Sequence, residues 1–167
     1  IEGGEKLKRE AGLSRFEIAE TRNPEQRVGP LLVHSAIGKN KDPLSKITDF
    51  ENLFNSGLSK RVGTALFKFC YVDITADTDI DSIFTVYSST MDSLEQAYPQ
   101  ILFLHSTESV RLVPMTLKTR IKRRLGLYVW GDDDNLQRHR FNEKLREKYA
   151  KTRRLFDLAA FESQWPD

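Results

Sequence analysis

Three histidines, one cysteine and a scatter of serines and carboxylates are the groups this chain offers for nucleophilic or acid–base chemistry. His34 and Ser35 stand side by side in "VHSAIGKNKDP" (residues 33–43), just before Gly38 and Asn40. A serine attacks only when a neighbouring base takes its proton and a third group orients that base. Ser35, His105 and Asp73 can be written down as nucleophile, base and orienter. Asp73 and His105 close two apolar runs, and open parallel sheets gather ligands beyond the carboxyl ends of their strands. Three residues drawn from separate runs fix no geometry, however, and Ser35 reads equally as part of a turn. Asn40 carries two amide N–H groups able to donate to an oxyanion, whereas Asp73 cannot donate while ionised.

The remaining reactive side chains have plainer readings. Cys70 sits within an apolar run, as a buried structural thiol does. His105 reads as a base or as a hydrogen-bonded structural imidazole. His139 lies between Arg138 and Arg140 on a polar helix and belongs on the surface. Lys68 interrupts an apolar run, which calls for a rim position or a carboxylate partner such as Asp73. Trp130 and Trp165 flank irregular stretches. No metal-ligand spacing and no phosphate-binding glycine loop occurs in the sequence, so no cofactor or metal is inferred.

The elements that must position these groups follow from the pattern. Residues 3–12 predict the end of a charged helix, and "SRFEIAE" a short strand with Phe16 and Ile18 inward. Asp42–Pro43 starts a helix with Leu44, Ile47, Phe50 or Leu53, and Phe54 at helical spacing, stopped at Gly57. "TALFKFCYVDI" (residues 64–74) suits a strand buried on both faces. Asp79 caps a long amphipathic helix carrying Ile80, Ile83, Phe84, Tyr87, Met91 and Leu94, closed by Pro99. "QILFLHS" (100–106) is a second buried strand. A polar irregular stretch then leads to a helix with Leu136, Phe141, Leu145 and Tyr149 on one side, and "RLFDLAA" (154–160) is a third strand, with Asp157 near the same rim. Strand alternating with helix specifies an α/β layered domain with a mostly parallel sheet.

The 167 residues suffice for one core, with 39% hydrophobic and 30% charged residues. No apolar run approaches bilayer length, and no membrane partner is expected. A single cysteine excludes an internal disulfide. Net charge is only +2, so nucleic acid is not an expected partner. The charge is uneven, with acidic residues in the middle and a basic block from Lys118 to Arg124, followed by more cations up to Arg154. Solvated helix faces are the bland account of these cations, and a patch for an anionic partner the sharper one.

Four words in this sequence carry a family resemblance: "IGKNKDPLSKITDF", "FKFCYVDI", "NLQRHRFNEKLREKY" and "LFDLAAFES". Together they resemble a bacterial branch of the SGNH/GDSL hydrolases. The resemblance implies a three-layer, flavodoxin-like α/β fold over residues 1–167 and hydrolysis of small-molecule or carbohydrate acyl esters. Members carry their chemistry in four blocks. "VHSAIGKN" corresponds to the second, where Gly38 would give its N–H and a close approach to the substrate. "KFCYVDI" corresponds to the third, with Asp73 where the oxyanion Asn would stand; Asn40 is the alternative donor, and His105 would border the same cleft. Were "HSAIG" the nucleophile block, the nucleophile position would be Ala36, so Ser35 is not expected to attack. The fourth block, Asp-x-x-His, is missing, since Leu31, Leu102 and Leu136 stand three residues before the histidines.

By this resemblance the nucleophile and the Asp-x-x-His lie outside the chain, which opens on Ile1 rather than Met. The chain then reads as the core of a hydrolase, inactive alone, with an exposed sheet edge prone to self-association. The compartment, cytoplasmic or exported, stays open. The alternative is a non-catalytic binding module using the basic carboxyl-terminal helices on an anionic partner.

Overall fold

The structure, a computed structural model, describes residues 17–20 and 31–164. The helix expected at residues 3–12, Phe16 and Trp165 fall outside that range. Among the described residues the strands β1 to β5 pair in parallel. β1 (Glu17–Glu20) lies beside β2 (Leu31–His34), with Ala19 opposite Val33. A second sheet has the order β3 (Thr64–Phe67), β4 (Leu102–Ser106), β5 (Leu155–Phe156). In its register Phe67 faces His105, and His105 faces Leu155.

The helices begin where local chemistry starts them. In α1 (Pro43–Asn55) the Asp42 carboxylate accepts the Ser45 N–H at 3.0 Å, and Pro43 occupies the first turn, where its missing N–H is no loss. Gly57 follows at φ 111°, a conformation that ends the helix at no side-chain cost. In α2 (Ile80–Ala97) Asp79 caps the Ser82 N–H. α3 (Leu117–Arg124) is capped by Thr116 and occupies part of the stretch read as irregular. α4 (Asp132–Tyr149) opens with three aspartates, which favour its positive amino-terminal end. α5 (Leu158–Ser163) is capped by Asp157.

A buried cluster joins α1, α2 and α4 to the sheet of β3 and β4. Phe50 and Phe54 of α1 meet Phe67 and Phe103 of the sheet at centroid distances of 5.0 and 5.1 Å. Tyr87 of α2 packs on Phe67, and Phe141 of α4 on Phe69. Each such buried side chain contributes about 1.5–3 kcal/mol. Register places Phe67, Phe103 and His105 on one face of the sheet, so α1, α2 and α4 all cover that face.

The expectation for residues 64–74 needs correction. Leu66 and Lys68 are exposed while Phe67 and Phe69 are buried, so residues 66–69 alternate instead of burying both faces, and the strand itself ends at Phe67. The odd lysine is thereby accounted for. On the same side as Leu66, Leu102 and Phe156 are about half exposed. Leu44 and Leu136, placed inward by spacing, are also exposed. Both lie in or near the first turn of their helices, ahead of the residues that reach the sheet.

Candidate functional site

Beyond the carboxyl end of β3 the chain turns sharply, and Asp73 is the hub of that turn. Its Oδ2 accepts the Cys70 N–H at 2.7 Å and the Lys46 ammonium at 2.8 Å, and its Oδ1 accepts the Lys41 N–H at 2.9 Å. Asp73 is 2% exposed and Lys46 7%. The Lys46 ammonium also donates to Asn40 Oδ1 at 3.2 Å. That bond fixes the orientation of the Asn40 amide, because an ammonium has no lone pair to offer the NH2 group. The Asn40 NH2 points elsewhere and has no partner among the described residues, and Asn40 is exposed.

Gly38 belongs to the same cluster through shape. At φ 54° it presses against the backbone of α1, where a Cβ would stand 2.6 Å from the Lys46 nitrogen and 2.7 Å from its Cα. Only glycine fits that approach. Its N–H, however, donates to Asp49 Oδ2 at 2.8 Å, so it is not a free oxyanion donor. Gly38, Asn40 and Asp73 therefore converge, but around Lys46, a residue sequence reasoning passed over. Of the three, Asn40 keeps an uncommitted donor. The Asp73 carboxylate is an acceptor in every bond it makes.

Ser35 and His105 do not join them. The Ser35 hydroxyl donates to the Ala36 carbonyl at 3.2 Å, and no histidine lies within hydrogen-bond reach of it. His105 is fully buried in the core and cannot border an open cleft. Its ring stacks on Tyr149 at 3.6 Å, and its Nδ1 lies 2.8 Å from the Tyr87 hydroxyl. Burial pushes the imidazole down to about 4, against the opposing pull of Glu95, and pushes the Tyr87 phenol up. Glu95 Oε1, 3.4 Å from Nε2, favours the neutral tautomer with its hydrogen on that nitrogen, which leaves Nδ1 to accept from the Tyr87 hydroxyl. This is a structural histidine.

The unexpected residue is Glu108, just past the end of β4. Both its carboxyl oxygens are buried without a hydrogen-bond partner, and Lys68 Nζ is 3.9 Å away. Burial raises its pKa to about 8; Lys68 and the nearby Phe69 N–H oppose that shift, though neither oxygen gains a hydrogen bond. Its backbone is held firmly, since the Asn142 amide accepts the Glu108 N–H at 2.6 Å and donates to the Glu108 carbonyl at 2.9 Å. Asn135 does the same for Arg111, at 2.8 Å in both directions. Three extended residues and seven helical ones both span roughly 10 Å, so α4 can grip the strand-like segment at both points.

Nearby, Arg138 forks onto the Tyr71 carbonyl at 2.7 and 3.1 Å. A hollow of about 230 Å³ lined by Tyr71, Ser109, Val110 and Arg111 opens beyond β3 and β4, where ligands of parallel sheets gather. A larger cleft of about 470 Å³ lies between the start of α2 and α4, lined by exposed charged groups including His139 and the Asp81–Lys144 pair. It contains none of the converging residues, and the chemistry favours the rim. Asp157 also has its partners: Arg146 binds both its oxygens and holds its pKa below the usual carboxylate range.

Among the described residues no serine hydroxyl or thiol is hydrogen-bonded to a histidine; on the lining of the hollow the Ser109 hydroxyl donates to Glu162 Oε1 at 3.2 Å. The rim offers a free amide donor, a rigid turn and a hollow between strand ends. No family model, no curated protein and no solved structure matches this chain.

Proposed function

We propose that the chain carries the oxyanion side of an SGNH-type ester hydrolase acting on small acyl or carbohydrate esters. The three-layer, flavodoxin-like fold this implies requires the half-exposed face of Leu66, Leu102 and Phe156 to be covered from outside the described residues. The supporting observation is the convergence of the Gly38 turn, Asn40 and Asp73 on Lys46 at the carboxyl end of β3. In this reading Lys46 and Asp73 hold the turn, and the Asn40 NH2 donates to the oxyanion. The nucleophile and base, on the same reading, are not supplied by this chain, which alone turns over no substrate.

Hydrolysis of short p-nitrophenyl esters tests this. The chain alone should not exceed a buffer blank. Expressed with whatever its gene encodes on either side, it should hydrolyse them, and Asn40→Ala should lower turnover on the order of a hundredfold, the scale of one lost oxyanion donor. Turnover by the chain alone that Ser35→Ala abolishes would place the nucleophile at Ser35 and overturn the reading. Indifference of an active, longer form to Asn40→Ala would remove the oxyanion role. The second reading, a non-catalytic module for an anionic partner, draws on the exposure of the basic α3.

A further inference from the structure

Most cations of the carboxyl-terminal half already have partners. On α4, Arg138 holds the Tyr71 carbonyl, Lys144 pairs with Asp81, Arg146 with Glu143 and Asp157, and Lys148 with Asp92. Residues 109–131 differ. They include six Lys or Arg and no Asp or Glu. Within this segment Arg123 is ion-paired, to Asp132 just beyond it. The same segment exposes large apolar side chains: Leu112 is 86% exposed, Leu117 72%, Leu125 65%, and Met115, Tyr128 and Trp130 are all more than half exposed.

Helical spacing orders these residues. At about 100° per residue, Leu117, Ile121 and Leu125 fall along one side of α3. Arg120 and Arg124 flank that stripe on one edge, and Lys118 and Lys122 on the other. Arg123 falls on the opposite side, where both Asp132 oxygens take its guanidinium at 2.6 and 2.8 Å. That fork turns the back of α3 toward the protein and leaves the leucine stripe facing outward. Just after the turn at Gly126, Trp130 lies under the Arg111 guanidinium, 3.7 Å from its ring centroid.

We infer that residues 109–131 dock on an anionic lipid surface, with α3 lying in the interfacial plane. Leu117, Ile121 and Leu125 enter the acyl boundary, the flanking cations reach lipid phosphates, and Tyr128 and Trp130 sit at headgroup level. The sign of the charge selects anionic lipid, and the aliphatic stripe selects lipid over nucleic acid. Tyr128 and Trp130 offer rings on which single-stranded bases stack, and the cations suit a duplex backbone, but neither contact has a use for the exposed stripe of Leu117, Ile121 and Leu125. The inference goes beyond the hydrolase reading and does not rest on it; it gives the anionic partner of the second reading a chemical class.

Co-sedimentation of the full chain with vesicles tests it, using phosphatidylcholine alone and phosphatidylcholine with phosphatidylglycerol at about three to one. Binding should require phosphatidylglycerol and weaken with salt. Lys118→Gln/Arg120→Gln/Arg124→Gln should weaken it on the order of a hundredfold. Leu117→Ser/Ile121→Ser/Leu125→Ser should weaken it about tenfold or more, with far-UV circular dichroism unchanged because these side chains are exposed. In a Trp165→Phe background, Trp130 fluorescence should shift to the blue on anionic vesicles, a readout free of any folding defect in the triple variants. Equal sedimentation with both vesicle types, full binding by the serine variant, or an unshifted Trp130 would overturn the inference. So would salt-sensitive binding of a single-stranded oligonucleotide by wild type and serine variant alike, without vesicle binding.

Discussion

At the scale of single residues, Lys46 is the side chain on which the rim depends. Its ammonium and the Asp73 carboxylate are both buried, and each is tolerable there only because the other opposes it. Lys46→Met should destabilise the protein by about 3–5 kcal/mol, because Asp73 would be left as an uncompensated buried charge. Guanidinium unfolding measures this, and Lys46→Met/Asp73→Leu should recover part of the loss. A cost below about 1 kcal/mol for the single change would mean that water reaches Asp73. The sequence displayed Gly38, Asn40 and Asp73 because each has a recognisable chemical type at a turn or strand end. It did not display Lys46 as their centre, since contact between α1 and the turn after β3 is a product of packing. The burial of Glu108 was hidden for the same reason: nothing in "HSTES" tells which way a side chain points after the strand ends.

At the scale of elements, α4 acts as a clamp as well as a core helix. Asn142 and Asn135 each exchange two hydrogen bonds with one residue of the extended segment after β4. Asn142→Ala should cost about 2–4 kcal/mol, because a buried N–H and a buried carbonyl of Glu108 both lose their partner. Asn135→Ala should cost less, since Asn135 is only half-buried and water can replace its amide. Urea unfolding of the two variants compares them, and equal small losses would show that the pairings are incidental. Starts set by a local cap, Asp42–Pro43 and Asp79, were legible in sequence because the donor and acceptor lie within one turn. α3 was not, although Thr116, the spacing of Leu117, Ile121 and Leu125, and Gly126 together spell a short helix. Its cations diluted the apolar signal. In residues 64–74 the apolar Leu66 and Cys70, on the same side as Lys68, obscured an alternation that is plain once their exposure is known.

At the scale of the whole molecule, two buried titrating groups set opposing slopes in stability. His105 titrates near 4 in the fold against 6.5 ordinarily, so the unfolded chain binds a proton that the folded one refuses between those values. Stability from this group is complete above about 6.5 and is lost as pH falls toward 4. Glu108 titrates near 8 against 4.5 ordinarily, so the folded chain holds a proton that the unfolded one has released. Its contribution is complete below about 4.5 and is lost as pH rises toward 8. The slopes cancel between about 4.5 and 6.5 and leave a net decline above 6.5. Thermal unfolding from pH 5 to pH 8 should therefore show a plateau and then a fall, on the order of a few kcal/mol. Glu108→Gln should remove the fall. Parallel curves for wild type and variant would place the responsible group elsewhere.

The grip of α4 on residues 108 and 111 has a consequence for how such a chain can diversify. Arg111 is tied to Asn135, and Gly131 lies against the Arg111 side chain before opening α4 itself, so the nineteen or so residues between leave and rejoin the body at nearly one place. Closing a longer or shorter excursion across fixed ends costs only a slowly varying entropy. Mutation can therefore rewrite that excursion, its length as well as its lettering, without disturbing the aromatic cluster beneath. The core is constrained by its packing, and the excursion is not tied to that constraint. One scaffold can in this way carry excursions of different length and surface chemistry.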